Sequence, residues 1–288
     1  MAYRNQKINP DHFHPSQIKF LIITGLMALF MLLPIVFIIV HAFKPISELM
    51  EYPPKFYVIR PTLDNFKNLF AQTSQSSIPF SRYLFNSIVV TLVGVFLTLF
   101  ITSITGFALS KLRFKGKKLI FKINETAMMF VGSALVIPRY ITISALGITN
   151  TMLAHILPLL ALPVGLFLVK QFIDQIPDEL IEAARLDGAS DFKVYIHVIL
   201  PMLKPALATV AILAFQAFWN NVETSNIFVN NESQRTLAFF LSTLTSNSSV
   251  SGQGMAAAAS LIIFLPNLIF FIFVQSKVMD TMAHSGIK

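Results

Sequence analysis

The sequence contains no cysteine. Disulfides, thiol nucleophiles and cysteine-ligated metals are therefore excluded. Charge is nearly as scarce. Only 12% of the 288 residues are Asp, Glu, Lys or Arg, against about 25% in soluble domains. Signatures of nucleotide and hydrolytic chemistry are also missing. No Gly-x-x-x-x-Gly-Lys-Ser/Thr, His-Glu-x-x-His or Gly-x-Ser-x-Gly run occurs, which removes a P-loop, a zincin-type site and a nucleophile elbow. The six histidines are scattered, so no metal centre is expected. No charged or histidine pair suggests catalysis inside an apolar segment.

What is present is apolar. Hydrophobic residues make up 55% of the chain and the mean hydropathy is +0.67, which identifies an integral membrane protein. The 28 phenylalanines suit a surface that faces lipid. Lys and Arg outnumber Asp and Glu by 22 to 14. In a soluble domain that excess would raise nucleic-acid binding; in a membrane chain it reflects positive loops on the cytoplasmic side.

Residues 20–43 carry no Asp, Glu, Lys or Arg. At 1.5 Å per residue they can cross a hydrocarbon core of about 30 Å. They exceed the apolar region of a secretory signal, and no Ala-x-Ala follows, so they predict an uncleaved first span, kinked or thinned near Pro34. Residues 44–81 are polar and punctuated by prolines. Within them, residues 64–70 predict a short amphipathic helix with Phe66, Leu69 and Phe70 on one side, placed on the lipid interface. Residues 83–110 make the second span, followed by the basic run Lys111, Arg113, Lys115, Lys117 and Lys118. A third span runs from about Leu119 to Ile137, ending at Pro138 and Arg139 at the outer surface. Residues 140–150 form a short outer turn. Residues 151–169 make the fourth span, whose Pro158 and Pro163 require neighbouring helices or cavity water to satisfy the backbone. The fifth starts at Pro205 and reaches Asn220, and the sixth covers residues 255–275. The small residues 256–260 suit close helix packing. An Asn-, Ser- and Thr-rich interval, 221–254, joins the last two spans, and a short polar tail, 276–288, follows.

Lys and Arg concentrate in the N-terminal tail, residues 111–122, residues 170–204 and the C-terminal tail. By the positive-inside rule, the chain is an all-α membrane protein of six transmembrane helices with both termini cytoplasmic. Segment 1–82 holds the tail, first span and external loop, 83–280 the core, and 281–288 a cytoplasmic tail.

Residues 176–201 lie between two spans yet do not read as a slack connector. Pro177 suits the first position of a helix, and Asp178 and Glu179 suit the positive end of its dipole. Residues 180–186 are mostly good helix formers. Gly188 fits the C′ position, and Ser190 can N-cap a second short helix. The pattern predicts a rigid, water-facing helix–Gly–helix, a shape fit for docking.

Glu182-Ala183-Ala184, three residues, Gly188, nine residues, then Val198-Ile199-Leu200-Pro201 resembles the EAA loop of permease subunits of binding-protein-dependent ABC importers. The pattern favours Ile where this chain has Val198, a one-methylene difference. Asp187-Gly188-Ala189 and the flanking text are most similar to the carbohydrate branch, in particular the maltose-type second permease subunit. The resemblance covers roughly Asn86 to the C-terminus. It implies the type I importer permease fold, with the loop as a coupling element seated in a cleft of a cytoplasmic ABC ATPase dimer. The coupling residues would be Glu182, Ala183, Ala184, Asp187, Gly188 and Pro201. It also implies a second homologous permease subunit, an extracytoplasmic solute-binding protein and a bacterial cell membrane. ATP and Mg would be bound by the ATPase, with no cofactor on this chain and no nucleic acid as a partner.

Each residue also has a plainer role. Glu182 can form an i,i+3 pair with Arg185, worth about 0.2–0.5 kcal/mol. Ala183 and Ala184 are good helix formers, and their smallness would permit close packing in a cleft. Gln216, Trp219, Asn220 and Asn221 form a candidate substrate-pathway set, an aromatic platform with amides as in carbohydrate sites. Trp219 also suits the aromatic belt at a membrane interface. The leading expectation is a saccharide importer permease. A non-sugar solute stays open, as does a membrane-embedded enzyme or scaffold. An enzyme would need intramembrane catalytic pairs, and a scaffold has no use for a coupling loop.

Overall fold

The computed structural model describes residues 17–74, 78–245 and 250–285. The expected N-terminal tail lies largely outside them, as do the last three residues of the C-terminal tail. Every regular element among the described residues is helical.

In order these are α1 (Gln17–Ala42), α2 (Ile46–Leu49), α3 (Asp64–Ser74), α4 (Phe80–Lys111), α5 (Lys117–Ala127), a 3-10 turn (Gly132–Leu135), α6 (Val136–Ala145), α7 (Leu153–Leu160) and α8 (Pro163–Asp174). Then follow α9 (Asp178–Leu186), α10 (Asp191–Val194), a π turn (Tyr195–Ile199), α11 (Leu200–Met202), α12 (Lys204–Trp219), α13 (Glu223–Phe228), a 3-10 turn (Glu232–Gln234), α14 (Leu237–Thr245) and α15 (Val250–Ser285). Three helices are long and apolar enough to cross a membrane alone: α1, α4 and the Gly252–Gln275 part of α15. Three bent pairs are candidates for further spans if each pair is taken as one: α5 with the segment Gly132–Ala145 at 112°, α7 with α8 at 47°, and Asp191–Met202 with α12 at 78°. Counted so, the six expected spans all have counterparts.

The prolines explain part of the bending. Pro163 excludes the helical conformation from the residue before it, and Leu162 sits at φ −109°, ψ 86°. The chain therefore breaks there and restarts with Pro163 in the first turn of α8, where no backbone donor is needed. Pro138 lies in the first turn of α6, after Val136 and Ile137, which are already helical. The expected outer turn at 140–150 is consequently corrected: residues 136–145 are helical, and the third span doubles back. α1 instead continues through Pro34 as one helix.

α4 is the centre of the bundle, packed against α8, α12, α7 and α14. Its buried face mixes small polar residues (Asn86, Ser87, Thr91, Thr98, Thr102, Ser103) with Tyr83, Val90, Phe107 and Leu109, whereas Leu92, Phe96 and Phe100 point outward. That arrangement suits a helix whose outer face meets lipid; inside, Thr102 Oγ1 donates to the Thr98 carbonyl at 2.6 Å and Ser103 Oγ to the Phe100 carbonyl at 3.0 Å. Two glycines let neighbours close in. A Cβ at Gly94 would lie 2.5 Å from the Phe218 ring of α12, and one at Gly106 would lie 2.8 Å from Val169 of α8. α1 is peripheral. None of its apolar window is buried, and it meets α15 where Ala42 packs with Ala258 and Leu261. The small-residue stretch thus serves close packing, as expected.

α3 corrects an expectation. It does not simply lie on lipid: Leu69 is fully buried beside Tyr83, Trp219 and Leu241. Asn65 is also buried, and its carboxamide donates to the carbonyls of Ala42 at 2.9 Å and Lys44 at 2.8 Å. It thereby satisfies acceptors that the end of a helix leaves open. The interval 221–254 is likewise not a plain loop. α13 and α14 occupy it, with Ser225, Phe228, Leu237 and Leu241 buried.

Candidate functional site

The segment between α8 and α12 has the anticipated geometry. Pro177 and the acidic pair Asp178 and Glu179 open α9. At its end Gly188 adopts φ +81°. The Gly188 amide donates to the Arg185 carbonyl and the Ala189 amide to the Ala184 carbonyl, both at 3.0 Å. This is the double bond of a Schellman stop, which needs a left-handed residue at C′. Ser190 then caps α10, its hydroxyl accepting from the Lys193 amide.

One face of this element is fixed to the bundle. Ile181, Val194, Tyr195 and Ile199 are buried in one apolar cluster with Phe107, Val169 and Ile173. The Tyr195 hydroxyl shares a 2.7 Å hydrogen bond with Ser103 of α4. Lys111, at the end of α4, donates at 2.6 Å to both the Ile176 carbonyl and the Asp178 carboxylate. That hydrogen bond and charge hold the Asp178 carboxyl below its ordinary value. Lys117 Nζ donates to the carbonyls of Ser110 and Leu112, so two cations of the basic run close the end of α4. Asp174, at the end of α8, accepts from Ser110 and pairs with Lys170.

The opposite face is free. At 100° per residue, Glu179, Glu182, Ala183 and Leu186 share the side of α9 that points away from buried Ile181. Leu186 is 90% exposed, and Phe192 on α10 is 61% exposed. An apolar knob flanked by carboxylates on a braced helix is suited to entering a partner's cleft. Beside it a cleft of about 620 Å³ is lined by Lys111, Arg113, Lys117, Glu182, Arg185 and Asp191, among others.

The anticipated residues divide accordingly. Glu182 and Ala183 are on the free face. Ala184 is half-buried and packs with Ala189 against the bundle, so its smallness serves the chain's own packing. Asp187 is exposed at the end of α9, next to Gly188. Pro201 follows the π turn, in which the Leu200 amide reaches the Tyr195 carbonyl. A proline there has no donor and crowds the preceding turn, and a widened turn relieves both. The Glu182–Arg185 pair is corrected. Arg185 reaches across Gly188 to Asp191, at 2.8 Å from Nη2 and 3.2 Å from Nε, and so ties the two short helices together. Leu186 and Phe192 were not anticipated. Their signal was an apolar residue on the polar side of a short amphipathic helix.

The second anticipated set does not form one site. Trp219 is 6% exposed, its indole N–H donates to the Ile263 carbonyl at 3.1 Å, and its ring stacks on Phe215. It is a core residue, neither a belt residue nor a sugar platform. The Asn221 side chain accepts from the amide and hydroxyl of Thr224, which uses it as a cap for α13. Gln216 is exposed. Asn220 exchanges hydrogen bonds with Asn267 at 3.3 and 3.0 Å and lines a cavity of about 220 Å³, below the usual ligand-pocket range of about 300–1,000 Å³.

Residues 13–276 match the model of the family described as binding-protein-dependent transport system inner membrane component. The whole chain is 30% identical, over 290 aligned residues covering 100% of both proteins, to the inner membrane ABC transporter permease protein YcjP of Escherichia coli K12. It is 29% identical to the arabinooligosaccharides transport system permease protein AraQ of Bacillus subtilis, covering 91% of this chain and 92% of that one. Its fold is also similar to a chain of a crystal structure of a bacterial ABC transporter involved in import of the acidic polysaccharide alginate. There the TM-score is 0.76 at 22% identity, covering 93% of this chain and 99% of that one.

Proposed function

We propose, from the premise that the chain belongs to the family of binding-protein-dependent transport system inner membrane components, that it is the permease subunit of an ABC importer for a saccharide. The solute class follows the relative named for arabinooligosaccharides. The chain forms one half of a translocation pathway, beside a homologous permease. A solute-binding protein delivers the sugar from outside. ATP and Mg bind to a separate cytoplasmic ATPase dimer, which docks on the free face of α9 and α10. Both termini lie in the cytoplasm.

The observation that carries this reading is the two-sided character of the coupling element. Ile181, Val194, Tyr195 and Ile199 tie it to α4 and α8, while Glu182, Leu186 and Phe192 stand exposed. A push on the exposed face must then move the bundle helices, because a close-packed core transmits displacement rather than absorbing it.

Glu182→Lys tests it. The side chain is exposed, so folding and membrane insertion should be unchanged. Placed beside Lys111, Arg113 and Lys117, the reversed charge should cut ATPase subunit recovered with the permeases at least about tenfold, a 1.4 kcal/mol effect, and abolish uptake. Uptake and ATPase recovery at the wild-type level would remove the docking role.

A further inference from the structure

The chain between α1 and α3 is neither slack nor covered. Lys44, 1% exposed, donates from Nζ to the Lys55 carbonyl. The Glu48 carboxylate accepts the amides of Ile59 and Arg60 at 3.1 and 2.9 Å. The Thr62 amide donates to the Phe43 carbonyl at 2.8 Å. These bonds clamp residues 44–62 into one loop. Its backbone is fixed, yet Met50, Tyr52, Phe56, Tyr57 and Ile59 are all more than half exposed, Tyr52 at 94%. Large apolar side chains held outward together mark a surface that something else covers, because water is a poor environment for them.

The position of the loop identifies the cover. α1 has 26 residues and is about 39 Å long at 1.5 Å per residue, more than a hydrocarbon core of roughly 30 Å. Its last turn therefore reaches the boundary with water, where charged Lys44 follows. The loop then runs back along the flank of α1. Phe56 meets Phe37 edge-on, with ring centroids 5.9 Å apart, and Phe37 lies about 8 Å before the end of the helix at the same rise. None of the apolar window of α1 is buried in the bundle. The apolar patch of the loop thus continues a face already suited to lipid.

We propose that residues 46–60 form an interfacial anchor, which seats Tyr52, Phe56, Tyr57 and Ile59 in the headgroup–acyl boundary of the leaflet around the end of α1. Irregular backbone does not meet hydrocarbon, so the loop stays at headgroup depth and only its side chains dip inward. Tyrosine suits that depth, with its ring in the apolar layer and its hydroxyl in the wet one. Lys55 pairs with Glu51 at 2.5 Å, and the exposed Arg60 can bond a lipid phosphate through its planar fork. A soluble partner approaches along the membrane normal, whereas Phe56 is applied to the flank of α1. Because Thr62 and Asn65 tie this segment to the end of α1, the anchor fixes the depth of that helix.

The anchor requires only that the chain crosses a membrane, so the outcome of Glu182→Lys does not bear on it. The chain has no native cysteine, and bimane on a single introduced cysteine reports the surroundings of that position. The complete transporter would be reconstituted in phosphatidylcholine liposomes doped with lipid carrying a nitroxide either on the headgroup or at mid-chain. At Tyr52→Cys, Tyr57→Cys and Ile59→Cys the headgroup nitroxide should quench at least about twofold more than the mid-chain one, as for a residue in the interfacial belt. Leu29→Cys, in the middle of α1 and exposed, should show the reverse order. Quenching of the loop positions by aqueous iodide, with none by either lipid, would leave the patch in water as a face for a soluble partner and overturn the proposal. Shielding from all three quenchers would mean that the second permease covers it, which overturns it equally. Stronger quenching by the mid-chain nitroxide would contradict the headgroup depth.

Discussion

Gly188 is the residue on which the coupling element turns. A Cβ built there meets nothing within 4 Å, so space does not demand glycine; the φ of +81° does. Alanine should cost about 1–2 kcal/mol through backbone strain alone, and asparagine less, because it tolerates the left-handed region. That is too little to unfold six packed spans. It is enough to tilt α10 against α9, since Arg185 and Asp191 bridge the two across this residue. Gly188→Ala should therefore leave the permease pair assembled, but lower the ATPase subunit recovered with it and slow uptake, with Gly188→Asn milder. Recovery and uptake measured on both variants decide the matter. Equal behaviour of alanine and wild type, or asparagine worse than alanine, would contradict the left-handed stop.

At the scale of elements, the decisive join is between α4 and α9. The Lys111 side chain is only 7% exposed and donates to the carbonyl of Ile176, itself buried. Lys111→Met preserves the stem and deletes that bond. A charged hydrogen bond of this kind contributes about 1.5–3 kcal/mol, so amides of α9 should exchange with deuterium roughly ten- to a hundredfold faster in the variant. Unchanged exchange would show that the apolar anchor of Ile181 and Val194 suffices. The same join has a pH signature. The hydrogen bond and charge of Lys111 hold the Asp178 carboxyl below the usual carboxylate range. The carboxylate's share of the join is then fully present above about pH 4 and is lost as the pH falls through the lowered value. Protection of α9 in the wild type should accordingly be flat at neutral pH and decline only in acid.

For the whole molecule, the arrangement commits the α4–α5 connection and the coupling element to one side of the membrane, because Lys111 and Lys117 join them through α4 and α9. A cysteine at Lys115, exposed in that connection, should resist a membrane-impermeant thiol reagent in intact cells and label readily in inside-out vesicles. Labelling from outside would invert the topology. Lys115 suits this better than neighbouring Gly116, whose φ of +88° would strain any side chain. The outward apolar residues of α1 and α4 supply a surface suited to lipid.

The sequence determined the class, the six apolar segments and the helix–Gly–helix, because each depends on local quantities. Twenty apolar residues span a bilayer whatever surrounds them, and a proline, a left-handed glycine and a capping serine act within a few residues of themselves. Tertiary structure decided which partner each side chain takes. Arg185 chose Asp191 over Glu182 because the turn at Gly188 brings Asp191 close. Trp219 became core because α15 offers it a carbonyl at Ile263, 44 residues away in sequence. Asn65 turned an apparent surface helix into a cap on α1, more than 20 positions earlier. The third span bends by 112° between α5 and the segment Gly132–Ala145, and no run of apolar residues records that bend. Such contacts join positions far apart in the chain, and periodicity carries no information about which distant groups packing will bring together.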